Sequence, residues 1–198
     1  MSRVLMLYGT TDGHTRKIAT AIAAVMRAEH CDVVVVDAAD VTPDVRPEEF
    51  DAVLVAASVH AGGHQRAVRR WVRAYAPQLN RMPTAFLSVC LGILERRPDA
   101  QREVSEIMRR FEREAGWQPT ADKVVAGALL YRNYGLIKRW IMRRIVAKGG
   151  GETDTSRNYE YTDWDDLRAF ARAFARRQLG AMQEVIVTAS PTSSACRR

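Results

Sequence analysis

Five short apolar runs punctuate the chain: RVLMLY (Arg3–Tyr8), CDVVVVD (Cys31–Asp37), DAVLVAAS (Asp51–Ser58), TAFLSV (Thr84–Val89) and KVVAGAL (Lys123–Leu129). They are rich in valine and nearly continuous, the pattern of strands buried on both faces of a parallel sheet. Between them apolar residues recur at helical spacing. Ile18, Ile22, Val25 and Met26 mark one helix, Val68, Trp71, Val72 and Tyr75 a second, and Val104, Ile107, Met108 and Phe111 a third. A fourth, through Trp164, Leu167, Phe170, Ala171 and Phe174, follows the last run; Thr162-x-x-Asp165 before it reads as a capping box. The proline-punctuated AADVTPDVRPEEF between the second and third runs predicts at most a short helix.

Strands alternating with helices predict an α/β fold, a five-stranded doubly wound parallel sheet without internal repeats. Ligands in such sheets bind beyond the carboxyl ends of the strands, where strand order reverses. Residues 1–178 are expected to form one domain, with an insertion at about 131–151 after the fifth strand. A tail over 179–198 is expected to be disordered.

Length adds that 198 residues suit one well-cored domain. No apolar run approaches the roughly 20 residues that span a bilayer. The strand pattern begins directly after Ser2-Arg3, so no signal peptide is expected. Cys31, Cys90 and Cys196 have neither metal spacing nor even pairing, which predicts no metal site and a reducing, cytoplasmic setting.

Charge sharpens the picture more. A net charge of +7 points to anionic partners. Within 131–151 stand Arg132, Lys138, Arg139, Arg143, Arg144 and Lys148, with no acidic residue before Glu152. Leu136, Ile137, Trp140, Ile141 and Ile145 would form one broad apolar helical face, which Arg144 and Lys148 interrupt. Such a segment suits an anionic membrane surface or an acidic substrate, through Arg132, Lys138, Arg139, Trp140, Arg143 and Arg144. The alternative is a surface helix packed on its own domain with solvated charges. The aromatics do not interleave with the charges as a base-stacking platform would, so nucleic acid is not expected as a partner.

The first strand delivers its carboxyl end into YGTTDGHT, and a helix leaves from it. Small residues let backbone N–H groups close around a phosphate, and the positive helix end favours the anion. Thr10, Thr11 and Thr15 add hydroxyls without charge. Asp12 beside a dianion requires its side chain to turn outward or to cap the loop. The order of a P-loop is absent, and so is Gly-x-Gly-x-x-Gly. An ordinary strand–turn–helix with threonine caps is the bland alternative.

Tyr8, Thr10, Gly13, Thr15, Ala19 and Ile22 stand at the spacing of the flavodoxin phosphate-loop signature, which this stretch resembles; Met6 replaces the usual Leu, Ile or Val. Further along, SVHAGGHQRAVRRWV, AFLSVCLGILERRP, VAGALLYRNYGLIKRWIMRRI and GGETDTSRNYEYTDW are similar to the flavodoxin-like, quinone-dependent protoporphyrinogen IX dehydrogenases of bacterial haem biosynthesis. The resemblance runs over residues 3–175, and GGETDT and YTDW are its most specific segments. Val59-His60-Ala61-Gly62 departs from it, since Arg-Tyr often precedes that glycine. Cys90 departs too, at a position where a polar amide is common.

The resemblance implies bound FMN. Its phosphate would be held by Thr10, Thr11, Asp12, Gly13, His14 and Thr15, with Ser58, His60, Ser88, Val89, Cys90 and Asp154 completing the site. It also implies oxidation of protoporphyrinogen IX to protoporphyrin IX by hydride transfer to the flavin, with menaquinone or ubiquinone as acceptor. Peripheral attachment to the inner face of the cell membrane follows from such an acceptor. No catalytic base is assigned, and self-association into a homo-oligomer is left open. His60 and His64 read equally well as solvent-facing loop histidines, and Cys90 as a small buried packing residue. The rival is a flavodoxin-type electron carrier without a substrate of its own. Such carriers are usually acidic, which argues against it here. A flavin-free phosphate-binding module is a third reading. A response-regulator receiver is excluded because the third strand ends in Ala57-Ser58, not in a phosphorylatable aspartate.

Overall fold

A computed structural model of the chain describes residues 1–42, 45–94, 99–129 and 156–179. The strands are β1 (Arg3–Gly9), β2 (Asp32–Asp37), β3 (Ala52–His60), β4 (Gly63–His64), β5 (Thr84–Cys90), β6 (Ala121–Ala126), β7 (Ala128–Leu129) and β8 (Tyr159–Glu160). The helices are α1 (His14–Ala28), α2 (Arg66–Leu79), α3 (Ala100–Ala115) and α4 (Trp164–Phe174). Five parallel strands run in the order β2-β1-β3-β5-β6. Leu5 on β1 faces Val34 on one side and Val53 on the other. Helices cover the central strands on both faces, which is why their sequences do not alternate.

Alternate residues feed two cores. Val4, Met6, Leu54, Ala56, Leu87 and Val89 point toward α1 and α4, meeting Ile18, Ile22, Leu167 and Phe174. Leu5, Leu7, Val53, Val55 and Phe86 point the other way, toward α2 and α3, where Val68, Trp71, Phe111 and Trp117 pack. Among its described residues, the proline-rich crossover forms a single 3-10 turn at Pro47–Glu49. It completes the second core with Ala38 and Phe50.

Three features differ from the expected pattern. The run Lys123–Leu129 is not one strand. Gly127 breaks it, and Ala128–Leu129 pairs antiparallel with Tyr159–Glu160 in a separate small sheet. A hairpin follows β3, where Ala61 (φ 47°) and Gly62 (φ 75°) form a two-residue turn and β4 folds back on β3. The cap of α4 is Asp163, whose carboxylate accepts from the N–H groups of Asp165 and Asp166, so Thr162 is not the cap.

Candidate functional site

Strand order reverses between β1 and β3, and the loops leaving those two strands face each other across the resulting crevice. The chain passes from β1 to α1 in four residues because Gly9 lets it run close beside α2. A Cβ there would lie 2.4 Å from Val68 Cγ2. Gly13, at φ 90°, takes the left-handed turn into the helix, and its N–H donates to Thr10 Oγ1 at 2.9 Å. Thr15, on the first turn of α1, is 1% exposed, and its Oγ1 is buried without a hydrogen-bond partner among the described residues. A buried orphan hydroxyl costs free energy, and at the positive end of a helix it is a donor prepared for an anion.

His14, the first residue of α1, is buried. Thr162 Oγ1 donates to the carbonyl of Ala126 at 2.7 Å, which uses its one proton. His14 Nε2, 2.7 Å from the same oxygen, therefore donates to it. Burial lowers the His14 pKa, and Lys17 adds to that while Glu160 opposes it. Around this contact, Lys17 pairs with Glu160 at 2.7 Å and lies 4.9 Å from the centre of the Trp164 ring. Trp164 Nε1 donates to the same glutamate at 2.7 Å. The segment ending in YTDW thus clamps onto the helix that leaves the phosphate loop.

The opposite loop begins at Ser58. Gln65 Nε2 donates to Ser58 Oγ and, at 3.3 Å, to Thr11 Oγ1, so one side chain ties the two loops together. Asp12 turns toward His60, with Oδ2 3.7 Å from Nε2. Ser88, fully buried on β5, hydrogen-bonds to His64 Nε2 at 2.9 Å on the α2/α3 side. The His64 ring lies 5.2 Å from that of Phe86 and 4.9 Å from that of Phe111, and burial beside Arg110 lowers its pKa to about 4.

Between the loops lies an open cavity of about 390 Å³, a size typical of small-molecule sites (roughly 300–1,000 Å³). Thr10, Asp12, His14 and Thr15 line one end of it. Ser58, His60, Val89 and Cys90 line the middle, and Glu103, Val104 and Ile107 of α3 close the far side. Thr11, Gly13 and Ser88 stand outside this lining. Asp154 and the basic set Arg132, Lys138, Arg139, Trp140, Arg143 and Arg144 lie outside the described residues.

Sequence reasoning did not single out Gln65, Thr162 as a link between elements, or the α3 face. None carries a local signal, because each acquires its role from a partner far along the chain. The donor set fits the phosphate of FMN. It offers neutral hydroxyls, an unpartnered Thr15 Oγ1 and a helix N-terminus at one end, with apolar walls from Val59, Val89, Leu91, Val104 and Ile107 beyond.

The chain matches the family described as "Flavodoxin domain" over residues 5–156. It is 34% identical over 176 residues to the protoporphyrinogen IX dehydrogenase (quinone) of Escherichia coli (strain K12), covering 87% of this chain and 94% of that one. The protein of the same name from Leishmania major is 36% identical over 177 residues, covering 87% of this chain and 74% of its own. Among solved structures, oxidised flavodoxin 1 from Bacillus cereus superposes with a TM-score of 0.56 at 15% identity, over 89% of this chain and 99% of that one. The flavodoxin of Streptococcus pneumonia TIGR4 gives 0.53 at 15% identity, over 91% and 99%. At these identities the likeness to the solved structures is one of fold.

Proposed function

Since the chain belongs to the flavodoxin family and, within it, to the quinone-dependent protoporphyrinogen IX dehydrogenases, we propose that it binds FMN and oxidises protoporphyrinogen IX to protoporphyrin IX, with a membrane quinone as electron acceptor. The observation that carries the reaction is the 34% identity across 94% of the Escherichia coli enzyme. The observation that supports the cofactor is the buried, unpartnered Thr15 hydroxyl at the mouth of α1.

When bound, FMN supplies the hydride acceptor; the protein supplies binding and surroundings. Thr10, Thr15 and the first amides of α1 offer neutral donors to a dianionic phosphate. Asp12 lines the same end of the cavity, its Oδ2 3.7 Å from His60 Nε2. Val59, Val89 and Leu91 at the strand ends, with Val104 and Ile107 of α3, give an apolar bed for a flat ring system and limit water beside it. Cys90 stands in that bed as a buried thiol at the end of β5.

The reading extends to residues 1–178 as one FMN-binding domain. It also includes peripheral attachment to the inner face of the membrane. Among the described residues no helix is long and apolar enough to cross a bilayer. The basic run from Arg132 to Lys148 supports contact with anionic lipid or with the carboxylates of the substrate, by charge alone. The test is to purify the protein, record its visible spectrum, and supply protoporphyrinogen with a quinone anaerobically while following porphyrin fluorescence. A flavin spectrum and quinone-dependent porphyrin formation are expected. A yellow protein that leaves protoporphyrinogen untouched would instead be an electron carrier.

A further inference from the structure

Helix α2 carries a stripe of positive charge for which the described fold supplies little compensation. Between Asp51 and Glu95 the chain has no acidic residue, yet it has Arg66, Arg69, Arg70, Arg73 and Arg81. Arg66, Arg69, Arg70 and Arg73 are all exposed. Arg69 pairs with Glu114 at 3.5 Å. Among the described residues, Arg66, Arg70 and Arg73 have neither an ion pair nor a side-chain hydrogen bond. At 100° per residue these three lie along the crest opposite the buried Val68, Trp71, Val72 and Ala76. Ala74 and Pro77 continue the exposed side with small groups.

The placement works against the helix itself. Cations near a helix N-terminus oppose its dipole. The first turn of α2 has no acidic residue and no side-chain cap. The other helices offset more of theirs: in α1, whose first turn also lacks an acidic residue, Lys17 pairs with Glu160 at 2.7 Å. In α3, Arg113 pairs with Glu106 at 2.5 Å, and in α4, Arg168 pairs with Asp165 at 2.7 Å. Lys123 at the sheet edge meets Asp166 of α4, also at 2.7 Å. Only on α2 does an uncompensated row of arginines stand among the described helices, and it begins two residues after β4, on the same end of the sheet as the cavity.

We propose that this crest of α2 is the surface on which the protein rests against an anionic lipid bilayer, the phase in which its quinone acceptor dissolves. The choice of a bilayer rests on the quinone reading above; the stripe itself does not. The crest offers dispersed charge on small residues and no exposed aromatic anchor. Trp71 is buried and Tyr75 half-buried against it, their rings 5.1 Å apart. A planar array of lipid phosphates fits such a face better than a protein partner, whose interface centre usually fills a pocket with a bulky anchor.

The test uses the flavin-loaded full chain and its Arg66→Gln/Arg70→Gln/Arg73→Gln variant, sedimented with phosphatidylcholine vesicles with or without phosphatidylglycerol. Glutamine keeps helix propensity, and retained flavin absorbance reports an intact fold. Each arginine near an anionic surface contributes about fivefold to partitioning, so binding to the anionic vesicles is expected to drop by about tenfold or more. Reaction with protoporphyrinogen and a water-soluble quinone is expected to stay unchanged. That arm separates failure of the docking surface from failure of the enzymatic reading. Equal binding by the variant and the wild type overturns the proposal. So does loss of binding only when Arg139, Arg143 and Arg144 are replaced by glutamine, or wild-type protein that ignores vesicles and captures an acidic protein.

Discussion

His60 and His64, four residues apart on one hairpin, occupy opposite environments. His60 is 44% exposed and faces Asp12, whereas His64 is enclosed by Phe86 and Phe111 and bonded to Ser88. Spacing alone cannot separate them, because the difference comes from which face of the hairpin meets the aromatic core. A folded-state pKa of about 4 against an ordinary 6.5 has a defined consequence. Between those values the unfolded chain binds a proton that the folded chain refuses, so stability is full above pH 6.5 and declines as pH falls toward 4. At 1.36 kcal/mol per pKa unit the decline from this group reaches roughly 3 kcal/mol. Urea unfolding at pH 7.5 and 4.5 is expected to show that loss, and His64→Gln is expected to shrink it. At the other loop, Thr15→Ala removes a hydroxyl with no partner in the fold. Flavin titration is expected to show FMN binding weakened by about tenfold or more, since hydrogen bonds to charged groups contribute roughly 1.5–3 kcal/mol. The flavin-free variant is expected to unfold no more easily than the wild type.

At the scale of elements, the five parallel strands and four helices are legible in the sequence because their signals are local: valine runs for strands, 3.6-residue spacing for helices. The phosphate loop is legible for the same reason. What escapes is whatever depends on a distant partner. Thr162-x-x-Asp165 has the form of a capping box, yet Asp163 caps the helix while Thr162 joins Ala126 to His14, which lies 148 positions from Thr162. Gln65 looks like any polar residue before a helix until Ser58 and Thr11 are brought to it. The β3–β4 turn is similar, since nothing in Val59-His60-Ala61-Gly62 announces that Ala61 takes φ 47°. A left-handed alanine costs roughly 1–2 kcal/mol, and strain of this kind collects at ligand-binding loops. Ala61→Gly is therefore expected to raise stability by about 1 kcal/mol in thermal unfolding of the flavin-free protein. Unchanged or lower stability would show that the turn is not strained.

At the scale of the molecule, one end of the sheet gathers the phosphate loop, the Ser58 loop and the cavity, while α2 carries its arginines away from the same end. This arrangement suits an enzyme that takes a large acidic substrate and hands electrons to a partner in an anionic membrane. A soluble carrier that docks on redox proteins also needs the flavin cavity, but it needs no cationic side. The reaction itself was not readable from the phosphate loop, which all flavodoxins share; it rests on the downstream segments and on the curated relatives. The most direct measurement is anaerobic turnover of the purified, flavin-loaded protein with protoporphyrinogen IX, read as porphyrin fluorescence with and without quinone. Porphyrin formation that requires quinone and stops when flavin is removed is the predicted result. A flavin-loaded protein that produces no porphyrin in the presence of quinone would contradict the assignment.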